Sequence, residues 1–175
     1  DEHGNDHPVQ QDTDGKLSAL VRLEPQEIKT LRSSNATLKA KKADSLILEN
    51  QLVRYEFNQH AQLVAALDLE TGESILADGE VGNILTLYED RPHNWDAWEI
   101  DISYEDMAVE TAQSQTWQSL GAGPVSQSLL FQLKIGNSKI DQRITLQTNS
   151  KGLEFDTKVD WQEYHRMLRT SFSVN

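Results

Sequence analysis

From residue 45 onward the chain repeats one pattern: short runs in which apolar and polar residues alternate, separated by turn residues. Val53, Tyr55 and Phe57 recur at every second position, as do Leu129, Phe131, Leu133 and Ile135. Successive side chains of a strand point to opposite faces, so this period gives a sheet with one apolar and one wetted face. The runs read as strands over 45–48, 52–57, 63–69, 84–89, 107–117, 125–135, 139–148, 153–161 and 167–174. Glu70-Thr71-Gly72-Glu73, Gly136-Asn137 and Ser150-Lys151-Gly152 supply hairpin chemistry between them. No segment carries a convincing amphipathic helix. The reading is therefore all-β, a twisted antiparallel sandwich with long strands in its second half.

The 175 residues suit one globular domain. Upstream of residue 45 the pattern weakens. Residues 1–16 hold five acids and one Lys among Gly, Asn, Gln and Pro, a composition that buries too little apolar surface to offset ordering entropy, and they read as a flexible acidic arm. Leu17, Ala19, Val21 and Leu23 alternate as a half-buried strand closed by Pro25, and Ile28 to Leu31 reads as a second short strand. The small, polar residues 33–45 form a connector, leaving 17–175 as a single sandwich domain. Within the connector, Ser34-Asn35-Ala36 has the form of a cleaved-tag remnant.

Composition removes several function classes. The absence of Cys excludes disulfides, thiolate metal sites and cysteine nucleophiles. The net charge of −12 weighs against nucleic acid or an anionic membrane as partner, since both require Lys and Arg to neutralise phosphate. No apolar run approaches the roughly 18 residues of a spanning helix, and the acidic N-terminus is unlike a signal peptide, so a soluble, cytoplasmic protein is expected. The five His show neither His-x-His nor His-Glu-x-x-His spacing, and neither a Gly-x-Ser-x-Gly elbow nor a phosphate-cradling glycine loop is present. No catalytic, cofactor-binding or metal-ligating residue is assigned.

The densest chemistry lies in Glu89-Asp90-Arg91-Pro92-His93-Asn94-Trp95-Asp96-Ala97-Trp98-Glu99-Ile100-Asp101, which holds two of the four Trp among five acids. Indole rings stack on the C–H faces of a pyranose while carboxylates accept from its hydroxyls. A solvated acidic loop anchored by Trp is the alternative, and the residues alone leave both open. Paired carboxylates are the machinery of a glycosidase, but acids alternating along one segment do not converge across a cleft.

Three ordered stretches resemble a known family: Leu48 to Phe57 opening a strand, the acidic-Trp segment Glu89 to Asp101, and Phe155 to Arg169. Together they resemble the β-rich C-terminal region of glycoside hydrolase family 38 α-mannosidases, of the cytosolic and bacterial branch. The resemblance implies an antiparallel, galactose mutarotase-like supersandwich. It also implies a zinc-dependent retaining enzyme whose zinc and aspartate nucleophile belong to a separate catalytic domain that nothing in this sequence matches. Its expected partners are that catalytic domain and a mannose-containing carbohydrate, and the isolated chain is expected to be inactive. Asp90, Arg91, Trp95, Asp96 and Trp98 become candidates for the edge of the sugar pocket or for a domain-docking loop, with Arg91 holding Asp90 or Asp96 in a charge-assisted pair. The stretch Leu23 to Arg32 resembles the family's closing strand, here placed before the opening one, as in a rearranged chain. Other readings are a stand-alone carbohydrate-binding module and a purely structural interaction domain.

Overall fold

A computed structural model describes residues 5–32, 38–42, 44–95 and 98–175. The strands are β1 (Val9–Gln11), β2 (Leu17–Ala19), β3 (Leu38–Lys39), β4 (Ile47–Glu49), β5 (Val53–Phe57), β6 (Leu63–Asp68) and β7 (Gly82–Glu89). A 3-10 helix (Ile102–Met107) follows, then β8 (Ala108–Thr111), β9 (Gln113–Ala122), β10 (Ser126–Ile135), β11 (Ser138–Gln147), β12 (Leu153–Asp160) and β13 (Arg166–Phe172). One sheet runs β12-β11-β10-β9. The other runs β13-β7-β6-β5-β4, with β8 also on β7, and β2-β1-β3 form a third, small sheet. Every pairing except β1 with β3 is antiparallel.

The alternation seen in the sequence becomes the core. Val53, Tyr55 and Phe57 of β5 are buried, as are Leu129, Phe131, Leu133 and Ile135 of β10 and Ile140, Ile144 and Leu146 of β11. They form one cluster with Leu48, Leu85 and Leu87, so the two larger sheets face each other as a sandwich. Phe57 and Phe131 meet across it with centroids 6.2 Å apart and planes tilted by 51°, a geometry that aromatic pairs prefer to a flat stack. The interior also holds a polar bridge. Asn83 of β7 donates from Nδ2 to Ala61 O (2.8 Å) and to Gln142 Oε1 of β11 (2.7 Å), and Gln142 Nε2 donates to Thr157 Oγ1 (3.1 Å). Buried amides persist where they find such partners.

Turns fix the registers. Ile135 pairs with Ser138, leaving Gly136-Asn137 as a two-residue hairpin loop, and Gly136 takes φ 55°, which glycine adopts without a Cβ penalty. Glu163 clamps this loop, accepting from Asn137 N (2.5 Å) and Ser138 Oγ (3.0 Å). The Asn137 backbone bond holds the Glu163 carboxyl below its ordinary range. At the opposite end, the turn before β12 is tied to the facing sheet. Tyr55 Oη donates to Lys151 O (2.6 Å), Asn50 Nδ2 to Gln147 O (2.9 Å) and Ser150 O (2.7 Å), and Lys151 Nζ to Asp68 Oδ2 (2.7 Å).

Several expectations change. Val9–Gln11, read as part of a flexible arm over 1–16, is a strand, and Gln10 is wholly buried. Alternation missed it because a buried Gln is indistinguishable in sequence from a solvated one. The connector 33–45 contains β3, and Lys41 bridges to Ala122; residues 1–4, 33–37 and 43, including Ser34-Asn35-Ala36, lie outside the described residues. In the 17–32 stretch only Leu17–Ala19 is a strand, while Ile28 to Leu31 forms none and Ile28 is exposed. The single strand read over 107–117 is broken at the buried Ala112 into β8 on one sheet and β9 on the other.

Between β12 and β13 the sandwich is open. Val159 lies opposite the core residue Ile140, yet is exposed, as is Phe172 at the end of β13. Phe155 and Phe172 touch edge-to-face at 5.7 Å near this mouth. Because Phe131 is at the closed centre, Phe131→Ala should cost about 3–5 kcal/mol in urea denaturation. A loss under ~1 kcal/mol would show that the two sheets are not packed through it.

Candidate functional site

The acidic-Trp segment leaves the sandwich from the end of β7. Glu89 pairs with Arg166, and Asp90 N still donates to His165 O (2.9 Å), so the loop begins at a fixed point beside β13. Arg91 Nε lies 2.6 Å from Glu89 Oε1, and Arg166 Nη1 lies 3.8 Å from the same oxygen. Arg91 thus pairs with Glu89. Asp96 lies outside the described residues.

Trp95 has φ 56°, and its carbonyl accepts from Trp98 N (2.8 Å) and Glu99 N (3.1 Å). Trp95 is 72% exposed and Trp98 88%. A residue held with positive φ is unusual outside Gly, Asn and Asp, and here it serves no core packing. Ile100 and Ile102 are also exposed, which makes the loop apolar as well as acidic.

Asp101 then caps the 3-10 helix, with Oδ1 accepting from Ser103 N (3.0 Å) and Ser103 Oγ (2.8 Å). The helix places Tyr104 edge-on to Tyr88 at 5.4 Å. Arg169 of β13 stacks its guanidinium 4.6 Å over the Tyr104 ring. Tyr104 Oη donates to Glu105 Oε1 (2.7 Å), and Arg169 Nη1 lies 3.7 Å from that oxygen. Ile100, Asp101, Ile102, Tyr104, Glu105 and Arg169 line an open groove of about 460 Å³. Its polar groups include a carboxylate, a phenol and a cation, a set suited to hydroxyl-rich ligands or a polar protein surface.

The sequence singled out the exposed Trp residues but missed Tyr104, Glu105 and Arg169. Arg169 reaches the site only because β13 pairs with β7, Thr86 opposite Arg169 and Tyr88 opposite Met167, which sets Arg169 and Tyr88 on one face. The available signal was alternation: Leu168 packs against the core, so Arg169 must face away.

Residues 48–175 match the model of the glycosyl hydrolases family 38 C-terminal domain. The chain belongs to that family. The family 38 domain is 30% identical over 130 residues to alpha-mannosidase 2C1 of Homo sapiens, covering 73% of this chain and 12% of that protein. It is 29% identical over 130 residues to alpha-mannosidase 2C1 of Mus musculus, with the same coverage. Alpha-mannosidase G of Dictyostelium discoideum is 24% identical over 130 residues, covering 71% of this chain and 12% of its own. The family 38 domain therefore spans a small part of the relatives it matches. The acidic-Trp loop, Tyr104 and Arg169 all fall within the matched residues. Among the described residues no group of three or more His, Cys, Asp or Glu is placed to hold a metal ion. Among them also, no helix is long and apolar enough to cross a membrane.

The Ser103 backbone bond, followed by its hydroxyl, holds the Asp101 carboxyl below the ordinary aspartate range. A carboxylate depressed in the folded state supports the fold above its unfolded pKa, and that support fades as pH falls through the folded one. The Ser103 amide resonance should therefore titrate with a midpoint below that of a free aspartate, with the 3-10 helix keeping its cap through mildly acidic pH. A midpoint at or above the free value would contradict the cap.

Proposed function

We propose that this chain is the non-catalytic β-domain of a zinc-dependent retaining α-mannosidase, with a galactose mutarotase-like supersandwich architecture, and that it lends the loop 89–107 to a separate catalytic domain. The observation that carries the reading is the exposure of Trp95 and Trp98 on a loop whose start and end are both fixed to β7 and β13. Indole rings at 72% and 88% exposure offer apolar surface for contact. In the assembled enzyme Trp98 and Trp95 stack on a sugar face or on the catalytic domain. Asp96 accepts from a hydroxyl, and Arg91, braced by Glu89, orders the loop entry. Zinc, the nucleophile and the bond cleavage belong to the other domain, and the substrate class is α-mannosides. The matched relatives bear the name α-mannosidase, which supports this substrate, and the resemblance to their cytosolic branch supports a cytoplasmic setting.

The same exposed rings favour a second reading, a module that holds mannose-containing glycans unaided. Calorimetric titration of the chain with mannose and short α-mannosides separates the two. The accessory-domain reading expects no heat of binding. Affinity in the micromolar to low millimolar range, about −8 to −4 kcal/mol, would make it a binding module instead.

In the full-length enzyme Trp98→Ala should lower kcat/KM by about tenfold or more, equivalent to ~1.4 kcal/mol, while the unfolding midpoint stays put because the ring has little to lose in the isolated fold. Unchanged kinetics would remove Trp98 from the site.

A further inference from the structure

We propose that the β9–β10 turn, together with Arg143 on the outer face of β11, is an acceptor site for an acidic β-hairpin, and that the hairpin filling it here, Val9–Ala19, docks without needing its covalent link to the sandwich.

The acceptor is built from main chain. Gln10, wholly buried, inserts its carboxamide into the turn: Oε1 accepts from Val125 N and Ser126 N (both 3.1 Å), and Nε2 donates to Ser126 O (3.0 Å). A carboxamide presents one acceptor and two donors, so it pairs with a peptide edge as another strand would. Its second donor bond goes to Asp12 Oδ1 at 2.6 Å, which fixes the amide's orientation from within the hairpin. Gly123 makes room for it. A Cβ there would come within 2.5 Å of Gln10 Oε1 and 2.8 Å of Cδ, and the carboxamide, held at both ends, has nowhere to swing.

Charge completes the site. The alternation of β11 puts Ile140, Gln142 and Ile144 inward and Arg143 outward. There the hairpin tip brings two carboxylates to it: Asp12 Oδ2 lies 3.6 Å from Nη1, and Asp14 Oδ2 bonds Nη2. Asp12 is 5% exposed, and Nη1 is buried without a hydrogen-bond partner in the described residues. Buried charges are kept where they are paired and hydrogen-bonded, as Asp12 is by Arg143 and by Gln10. Thr13 N donates to Leu120 O (2.9 Å), and Lys41 exchanges backbone bonds with Ala122, so the small sheet is stitched to the same turn.

Acceptor and ligand have different origins in the chain. Leu120 to Ser126 and Arg143 lie within the family-matched residues 48–175, whereas the hairpin lies outside them. The recognised chemistry is a hairpin with Gln, Asp and Asp at alternate positions, here Gln10, Asp12 and Asp14.

The test uses the full chain carrying a protease site after Lys42. After cleavage at low micromolar concentration, the 1–42 piece should co-elute with the remainder on gel filtration. Gln10→Ala and Gly123→Ala should each weaken that retention about tenfold or more. In the uncut chain, Gln10→Ala should speed amide exchange at Val125 and Ser126 about tenfold while Ile140 and Ile144 keep their protection. Separation of the wild-type pieces, retention of both variants like wild type, or unchanged exchange at Val125 and Ser126 would each overturn the proposal.

Discussion

The contact between β5 and β10, centred on Phe57 against Phe131, is the constraint on which the other features rest. It joins the two sheets, and Ile140, Ile144 and Leu146 of β11 belong to the same cluster. Close packing of this kind makes a one-residue slip in register prohibitive, since a slip would turn a whole apolar row to water. With registers so locked, the positions where the chain departs from alternation become informative. β9 is one such place: its pairing with β10 skips Leu120 and Gln115. Bulges of this sort bend a strand and re-aim its end, and the end in question carries the turn that receives Gln10.

Two regions of the surface depend on that frame in different ways. The acidic-Trp loop is anchored at the β7 and β13 pairing and again at the 3-10 helix, where Tyr104 lies between Tyr88 and Arg169. Its indole rings stay largely exposed. The mouth between β12 and β13 is the counterpart in the sheets themselves, where residues belonging to the inner face by register remain exposed. Both fit a domain whose remaining contacts come from a larger assembly, and the short span of this chain on its α-mannosidase relatives accords with that.

The sequence disclosed what alternation encodes. β5, β10 and β11 were legible because Val53, Tyr55, Phe57 and Leu129 to Ile135 recur at period two, and hairpin chemistry at Gly136-Asn137 placed their turn. The split of 107–117 was hidden because the run holds no Gly, Pro, Asn or Asp to mark a break at Ala112, where the chain crosses from one sheet to the other. The 3-10 helix was hidden too, as it is six residues held by a cap at Asp101 with no buried stripe to give it a period. Gln10 and Arg143 escaped for a further reason: polar residues are buried only when distant partners satisfy them, and a partner more than a hundred positions away leaves no local trace. Of the candidate site, the exposed Trp pair was readable, whereas Tyr104 and Arg169 required the long-range pairing of β13 with β7.

The central claim is that the acidic-Trp loop is a contact surface rather than a solvated loop. Hydroxyl-radical footprinting of the isolated chain against the full-length enzyme tests it most directly. The account predicts that Trp95, Trp98 and Ile102 react readily in the isolated chain and are protected in the full-length enzyme, while a residue buried in both, such as Phe131, reacts in neither. Equal reactivity of Trp95 and Trp98 in the two forms would contradict it.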